Sequence, residues 1–174
     1  IFADTCLKIN RYEEALHALQ MGASLEPENL DWRRNLARVY HLCGDLQASF
    51  EERKAIVKAA GPLSAGDQLA LAEAALAVSD AGEALLACNQ VLAEDAENGL
   101  ALALRGKSQV LLGNYKDAEN DLSRAALYQP DHDVAWLALA DLYEEMGAEQ
   151  KKVEVLREAA MACPQSGAVA FRLA

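Results

Sequence analysis

Small side chains return along this chain at a fixed interval. Ala3, Ala37, Ala72, Gly106, Ala140 and Ala174 are separated by 34, 35, 34, 34 and 34 residues. The preceding column reads Phe2, Leu36, Leu71, Arg105, Leu139 and Leu173, apolar at five of six places. A period of this length means one supersecondary unit copied along the chain. The single long step crosses residues 62–66 and predicts one inserted residue at about Ser64.

Each period carries two helical stretches. In residues 99–132 the first covers about 100–112 and the second about 115–128. Gly113 and Asn114 break between them, and Asn114 is placed to cap the second. Pro130 ends the second, because proline lacks the amide hydrogen that continued helix needs. Equivalent breaks fall at Cys43-Gly44-Asp45, Val78-Ser79-Asp80 and Met146-Gly147-Ala148. Asp80 and Glu83 have capping-box spacing. The small column has a physical purpose: two helices cross closely only where one lacks bulk. A 34-residue helix pair cannot bury both of its apolar faces alone. It must stack on another pair.

Trp136, Leu139, Ala140, Tyr143, Ala159 and Pro164 together resemble the tetratricopeptide repeat signature. Gly106 with Tyr115, Ala118, Leu122, Ala125 and Pro130 resembles it again. The resemblance implies an all-α fold, a right-handed α-solenoid (superhelix) of antiparallel helix pairs covering residues 1–174. It divides into a partial repeat 1–29, full repeats 30–64, 65–98, 99–132 and 133–166, and the start of a further helix at 167–174. Arg53 departs from an apolar position, Lys152 from a small one, and Gly61 and Ala96 from the terminal proline. A pentatricopeptide array has a similar period, but it binds RNA and is usually basic.

The resemblance also implies that the first helices line a concave groove. Residues sharing the face opposite the packed stripe are its expected lining. They are Asp31, Arg34, Asn35, Arg38 and His41 in the second repeat, and Leu69, Glu73 and Leu76 in the third, with Gly66. The fourth supplies Leu100, Ala103, Lys107 and Val110, and the fifth Val134, Leu137, Asp141 and Glu144. The middle is apolar, which marks either a binding surface or completed inter-repeat packing. One column alternates in sign: Asp4, Arg38, Glu73, Lys107, Asp141. It reads either as a ladder for a partner or as a row of weak inter-repeat ion pairs. Residues 30–64 carry six basic and four acidic side chains, whereas residues 65–98 carry seven acidic and none basic. Arg34, Asn35 and Arg38 therefore form a local basic patch. The three-repeat clamp by which some family members grip chaperone tails has no counterpart at Leu69, Ala70, Glu73, Leu100 and Leu104.

The formal net charge of −11 opposes nucleic acid and anionic membrane. Cys6, Cys43, Cys88 and Cys163 lack metal-ligand spacing and read as reduced, apolar-packed thiols, which favours a cytoplasmic setting. His17, His41 and His132 fall in different repeats, and neighbouring acids such as Glu144 and Glu145 splay about 100° apart on a helix. No catalytic constellation, metal site or cofactor is expected. The expected function is a non-enzymatic protein-interaction scaffold holding a partner's peptide or helix in the groove. The alternative is a structural spacer of a larger solenoid, beside an enzyme domain elsewhere, or a segment that self-associates through end repeats bearing Phe2, Leu7, Phe171 and Leu173. Ile1 lies in mid-pattern, so the chain reads as part of a longer array.

Overall fold

The structure is a computed structural model that describes residues 11–60 and 64–173. Phe2, Ala3, Asp4, Cys6 and Leu7 lie outside the described residues. Ten α-helices and no strand occur among those described: α1 (Tyr12–Leu25), α2 (Leu30–Leu42), α3 (Leu46–Ala60), α4 (Ala65–Ala77), α5 (Ala81–Glu94), α6 (Gly99–Leu111), α7 (Tyr115–Tyr128), α8 (Asp133–Glu145), α9 (Glu149–Ala162) and α10 (Gly167–Leu173). Two compact units result. The first ends at Val78 and holds α1–α4; the second begins at Ser79 and holds α5–α10.

The punctuation follows the local chemistry. Asn29, Ser64, Asp80 and Asn98 each accept a backbone N–H at the start of the next helix, from Asp31, Asp67, Glu83 and Ala101. Ser166 does the same for Val169. Each such bond satisfies one of the donors that a helix start leaves open, a contribution of about 1 kcal/mol. Asn114 differs from expectation. It occupies the N-cap of α7 without a side-chain cap bond; its backbone N–H donates instead to Gln109 O, at 2.8 Å. The tight turns between first and second helices need a left-handed residue, supplied by Gly44 (φ 82°), Gly113 (φ 75°) and Gly147 (φ 67°). At the corresponding place Ser79 adopts φ 63°.

The extra residue does not fall at Ser64. That residue caps α4 as Asn29 caps α2 and Asn98 caps α6, and Asn98 lies 34 residues beyond Ser64. The surplus lies in α3, which has 15 residues where α1, α5, α7 and α9 have 14. Ile56 is still in column with buried Val91, Ala125 and Ala159, so the addition falls in the last turn of α3. With that correction Pro62, not Gly61, is the counterpart of Pro27, Pro130 and Pro164.

Within the first unit, Ala15, Leu19, Leu36 and Val39 form a core that Trp32 and Tyr40 flank. Within the second, Leu102, Ala118, Leu122, Ala135, Leu139, Leu142 and Tyr143 belong to one larger core. The small column does the work expected of it. A Cβ built on Gly106 would lie 2.6 Å from Leu122 Cγ, so α6 and α7 approach at a distance that side-chain bulk forbids. Cys88 and Cys163 are buried, and burial pushes the Cys88 thiol up to about 12. Cys43 is exposed at the end of α2 and is not a packed hydrophobe. No described helix is long and apolar enough to cross a membrane.

Candidate functional site

In the first unit, the expected lining residues lie on α2 and α4. Asp31, Arg38, His41 and Glu73 are exposed, whereas Arg34, Asn35, Leu69 and Leu76 are half-buried. Arg34 is not a free cation. Its Nε and Nη2 donate to Asp67 Oδ1 (3.0 Å) and Oδ2 (2.7 Å), and its Nη1 donates to Asp31 Oδ1 at 2.8 Å. The forked geometry ties α2 to the first turn of α4. Arg34 holds the Asp67 carboxyl below its ordinary range. Asn35 donates to Asp31 O and accepts from Arg38. The basic patch is therefore largely committed to neighbours within its own unit.

In the second unit the expected residues lie on α6 and α8, which pack against each other, with α10 beside α8. Leu100, Lys107, Val110, Val134 and Leu137 are half-buried, and Asp141 and Glu144 are exposed. Ala103 is only 2% exposed and belongs to the core, so it offers a partner almost nothing. Val110 and Val134 also pack against that core. Leu100 and Leu137 remain as the larger apolar side chains of this face.

Among the described residues the alternating column shows no ion pair from Glu73 to Lys107 or from Lys107 to Asp141. Lys107 and Asp141 are not paired; Asp141 accepts from Arg172 Nη1 at 2.6 Å, and Glu144 from Arg172 Nη2 at 2.9 Å. Arg38 donates to Asn35, and Glu73 makes no hydrogen bond among the described residues. The Asp4 end of the column lies outside the described residues. Arg172 is the participant that periodicity missed, because it sits three places before the column's next position. Its neighbour Phe171, in column with Arg34, Leu69, Ala103 and Leu137, is 82% exposed.

Two further polar groups stand in columns that are otherwise apolar. Arg105 in α6 donates to Asp121 Oδ2 (2.7 Å) and Oδ1 (2.9 Å) in α7, and to Asn89 Oδ1 (2.9 Å) in α5. Asp121 is 2% exposed. Arg53 in α3 replaces the buried residue seen as Leu19, Cys88, Leu122 and Leu156. It makes no hydrogen bond among the described residues, and burial lowers its pKa against the weaker pull of Glu73 and Asp67. Among the described residues no three histidine, cysteine or carboxylate side chains gather in a way that could hold a metal ion.

Comparison with known proteins bears on this architecture. No curated protein sequence matches the chain. Solved structures do: a thermophilic tetratricopeptide protein of Thermus thermophilus at 22% identity and TM-score 0.76, covering 99% of this chain and 93% of that one. A MamA segment of Desulfovibrio magneticus RS-1 is similar at 16% identity and TM-score 0.79, covering 92% and 90%. YrrB, a tetratricopeptide protein with an unusual peptide-binding site, is similar at 16% identity and TM-score 0.71, covering 98% and 87%. Identities this low speak for the fold alone. The tetratricopeptide repeat profile itself matches residues 2–65 and 103–167. With most of its length in that match and helix pairs of the matching period, the chain belongs to the tetratricopeptide repeat family.

Proposed function

We propose that the chain is a protein-interaction scaffold that holds a peptide or helical segment of a partner against the exposed face of its first helices. One observation carries this reading. On α6 and α8, half-buried Leu100 and Leu137 share a face with Lys107, whose ammonium has no ion-pair partner among the described residues. An apolar strip beside an uncommitted charge offers both contact area and orientation. Asp141 and Glu144 contribute less than their charge suggests, because Arg172 already occupies them. A partner must displace that arginine or bind beside it. In the first unit, taken by itself, Arg34, Arg38, His41, Leu69, Glu73 and Leu76 are the corresponding candidates, with Arg34 held by Asp67. YrrB, in the same family and fold, supports peptide binding as the kind of work.

A non-catalytic role in a reducing, cytoplasmic setting fits the dispersed histidines and the free thiols Cys43, Cys88 and Cys163. The exposed Phe171 favours a second reading, self-association through α10. Sedimentation of the chain alone across a concentration range separates the two, because self-association then raises the sedimentation coefficient with concentration, whereas partner capture needs an added partner.

The direct test starts with peptides selected from a random library on the intact chain. Leu100→Glu with Leu137→Glu should weaken their binding at least tenfold while helicity stays constant. Binding unchanged by this pair would remove the first-helix face from consideration.

A further inference from the structure

The second unit carries a cavity that the proposed first-helix face does not use. A cleft of about 430 Å³ opens between α7 and α9 over α8. That volume lies within the range of ligand-binding clefts, about 300–1,000 Å³. Leu139, Trp136 and Tyr143 of α8 provide its floor, and Val155 of α9 and Leu127 of α7 its apolar sides. The polar atoms of the two rings are already satisfied. Trp136 Nε1 donates to Pro130 O at 2.9 Å, and Tyr143 Oη donates to Glu119 Oε1 at 2.8 Å. The floor therefore presents apolar ring surface to whatever enters. Leu127 at the edge is 74% exposed.

The seam one period earlier explains why this one is open. There Arg105 bridges Asp121 of α7 and Asn89 of α5, tying three helices together. Moving 34 residues onward, Asn89 becomes Ser123, Arg105 becomes Leu139 and Asp121 becomes Val155. All three replacements line the cleft, and none can form the bridge. The same backbone framework is thus strapped by ions at one seam and left as an apolar hollow at the next.

Charge around the hollow selects its occupant. Lys151 is engaged, with its Nζ 2.9 Å from Glu119 Oε1 and 5.0 Å above the Tyr143 ring. Glu154 and Glu158, one turn apart on α9, are exposed and make no hydrogen bond or ion pair among the described residues. An acidic segment is repelled by these carboxylates, and a purely polar cation gains nothing from the floor. We propose that the cleft is a second docking site, for a protein segment that inserts an apolar side chain over Leu139 and Val155 and sets a lysine or arginine against Glu154 and Glu158.

The test uses three synthetic amphipathic peptides of about 14 residues, long enough to form helix on binding: a leucine–lysine sequence, its leucine–glutamate counterpart and a serine–lysine counterpart. The serine–lysine peptide sets the background that a net charge of −11 produces with any cation. In a Trp32→Phe background, Trp136 fluorescence reports directly on the floor. The leucine–lysine peptide should shift Trp136 emission and bind at least tenfold more tightly than either control. S123N/L139R/V155D, which copies the strapped seam, should reduce that binding at least tenfold. E154Q/E158Q, confined to the surface, should reduce it at least threefold and flatten its salt dependence; this pair decides the matter if the triple variant fails to fold. L100E/L137E should leave the Trp136 emission shift at saturating leucine–lysine peptide in place, which separates this site from the first-helix face. Leucine–lysine binding no tighter than serine–lysine binding, or binding indifferent to E154Q/E158Q, overturns the proposal.

Discussion

Arg53 and Arg105 each replace a buried apolar residue of the repeat, one in each unit, and their surroundings treat them in opposite ways. Arg105 has a forked bond to a buried carboxylate and a further bond to Asn89. Its pKa rises, chiefly through the Asp121 hydrogen bond. Arg53 has lost water without gaining a hydrogen bond, and its pKa falls. A charge in a packed column is tolerated in two states: fully bonded, or half-buried with only the coulombic attraction of nearby acids. The first holds neighbouring helices in register. The second leaves a seam weaker than its apolar equivalents.

The largest effect expected from this contrast lies in the second unit. Asp121→Ala leaves the partly buried Arg105 without its carboxylate and with Asn89 alone, and should cost about 3 kcal/mol, the lower end for breaking a buried ion pair. The loss should appear as a lower urea midpoint, with faster amide exchange in α6 and α7. R105L/D121V removes both charges and copies the residues of the following seam. It should lie within about 1 kcal/mol of the parent, because an apolar replacement of similar volume offsets a lost buried pair. If Asp121→Ala were as mild as the double variant, Arg105 would not be the tie it is taken for.

A smaller effect of opposite sign is expected in the first unit. Arg53→Leu restores the column occupied by Leu19, Leu122 and Leu156, and removes the desolvation that lowers the arginine's pKa. It should stabilise the chain by about 1 kcal/mol, a modest share of what burying one leucine contributes. Thermal unfolding of this variant beside the parent measures it. A lower midpoint would mean that the attraction of Glu73 and Asp67 outweighs the desolvation of the guanidinium.

The same contrast shows what periodicity reveals and what it hides. The helix pairs were legible because Leu19, Ala37, Leu122 and Ala140 obey one spacing rule set by steric fit, and steric fit depends on neighbours in the same pair. Arg53 and Arg105 were visible as departures. Their outcomes were not, because Asp121 and Asn89 lie 16 residues away in opposite directions and carry no local mark of being partners. Among the candidate face residues, Arg34 was expected to be available and is held by Asp67, 33 residues on. Asp141 was expected to meet Lys107 and meets Arg172 instead. Long flexible side chains reach beyond their own column, so charge alternation along a column does not decide which pairs form. The displaced insertion has a similar cause: the long step between Ala37 and Ala72 does not say where within it the extra residue sits, and it sits in α3.

The smallest expected effect concerns acid, and it turns on Asp67, the carboxylate that Arg34 bonds and Arg53 senses. Arg34 depresses the Asp67 pKa in the folded chain. Stability from this group is therefore present above the unfolded carboxylate value, about 4, and is lost as pH falls through the lower folded value. Arg34→Met should cost about 1 kcal/mol or less near neutrality, since the arginine is partly exposed. That difference from the parent should shrink steadily below about pH 4. Arg53→Leu should move the other way. Protonating Asp67 removes a charge that favours the half-buried guanidinium, so the advantage of leucine should widen over the same acid range. Urea midpoints of the three chains from pH 7 to pH 3 would show one gap closing while the other opens. Two gaps that moved in parallel would mean that Arg53 does not sense Asp67, and the contrast between the bonded and the stranded arginine would then rest on desolvation alone.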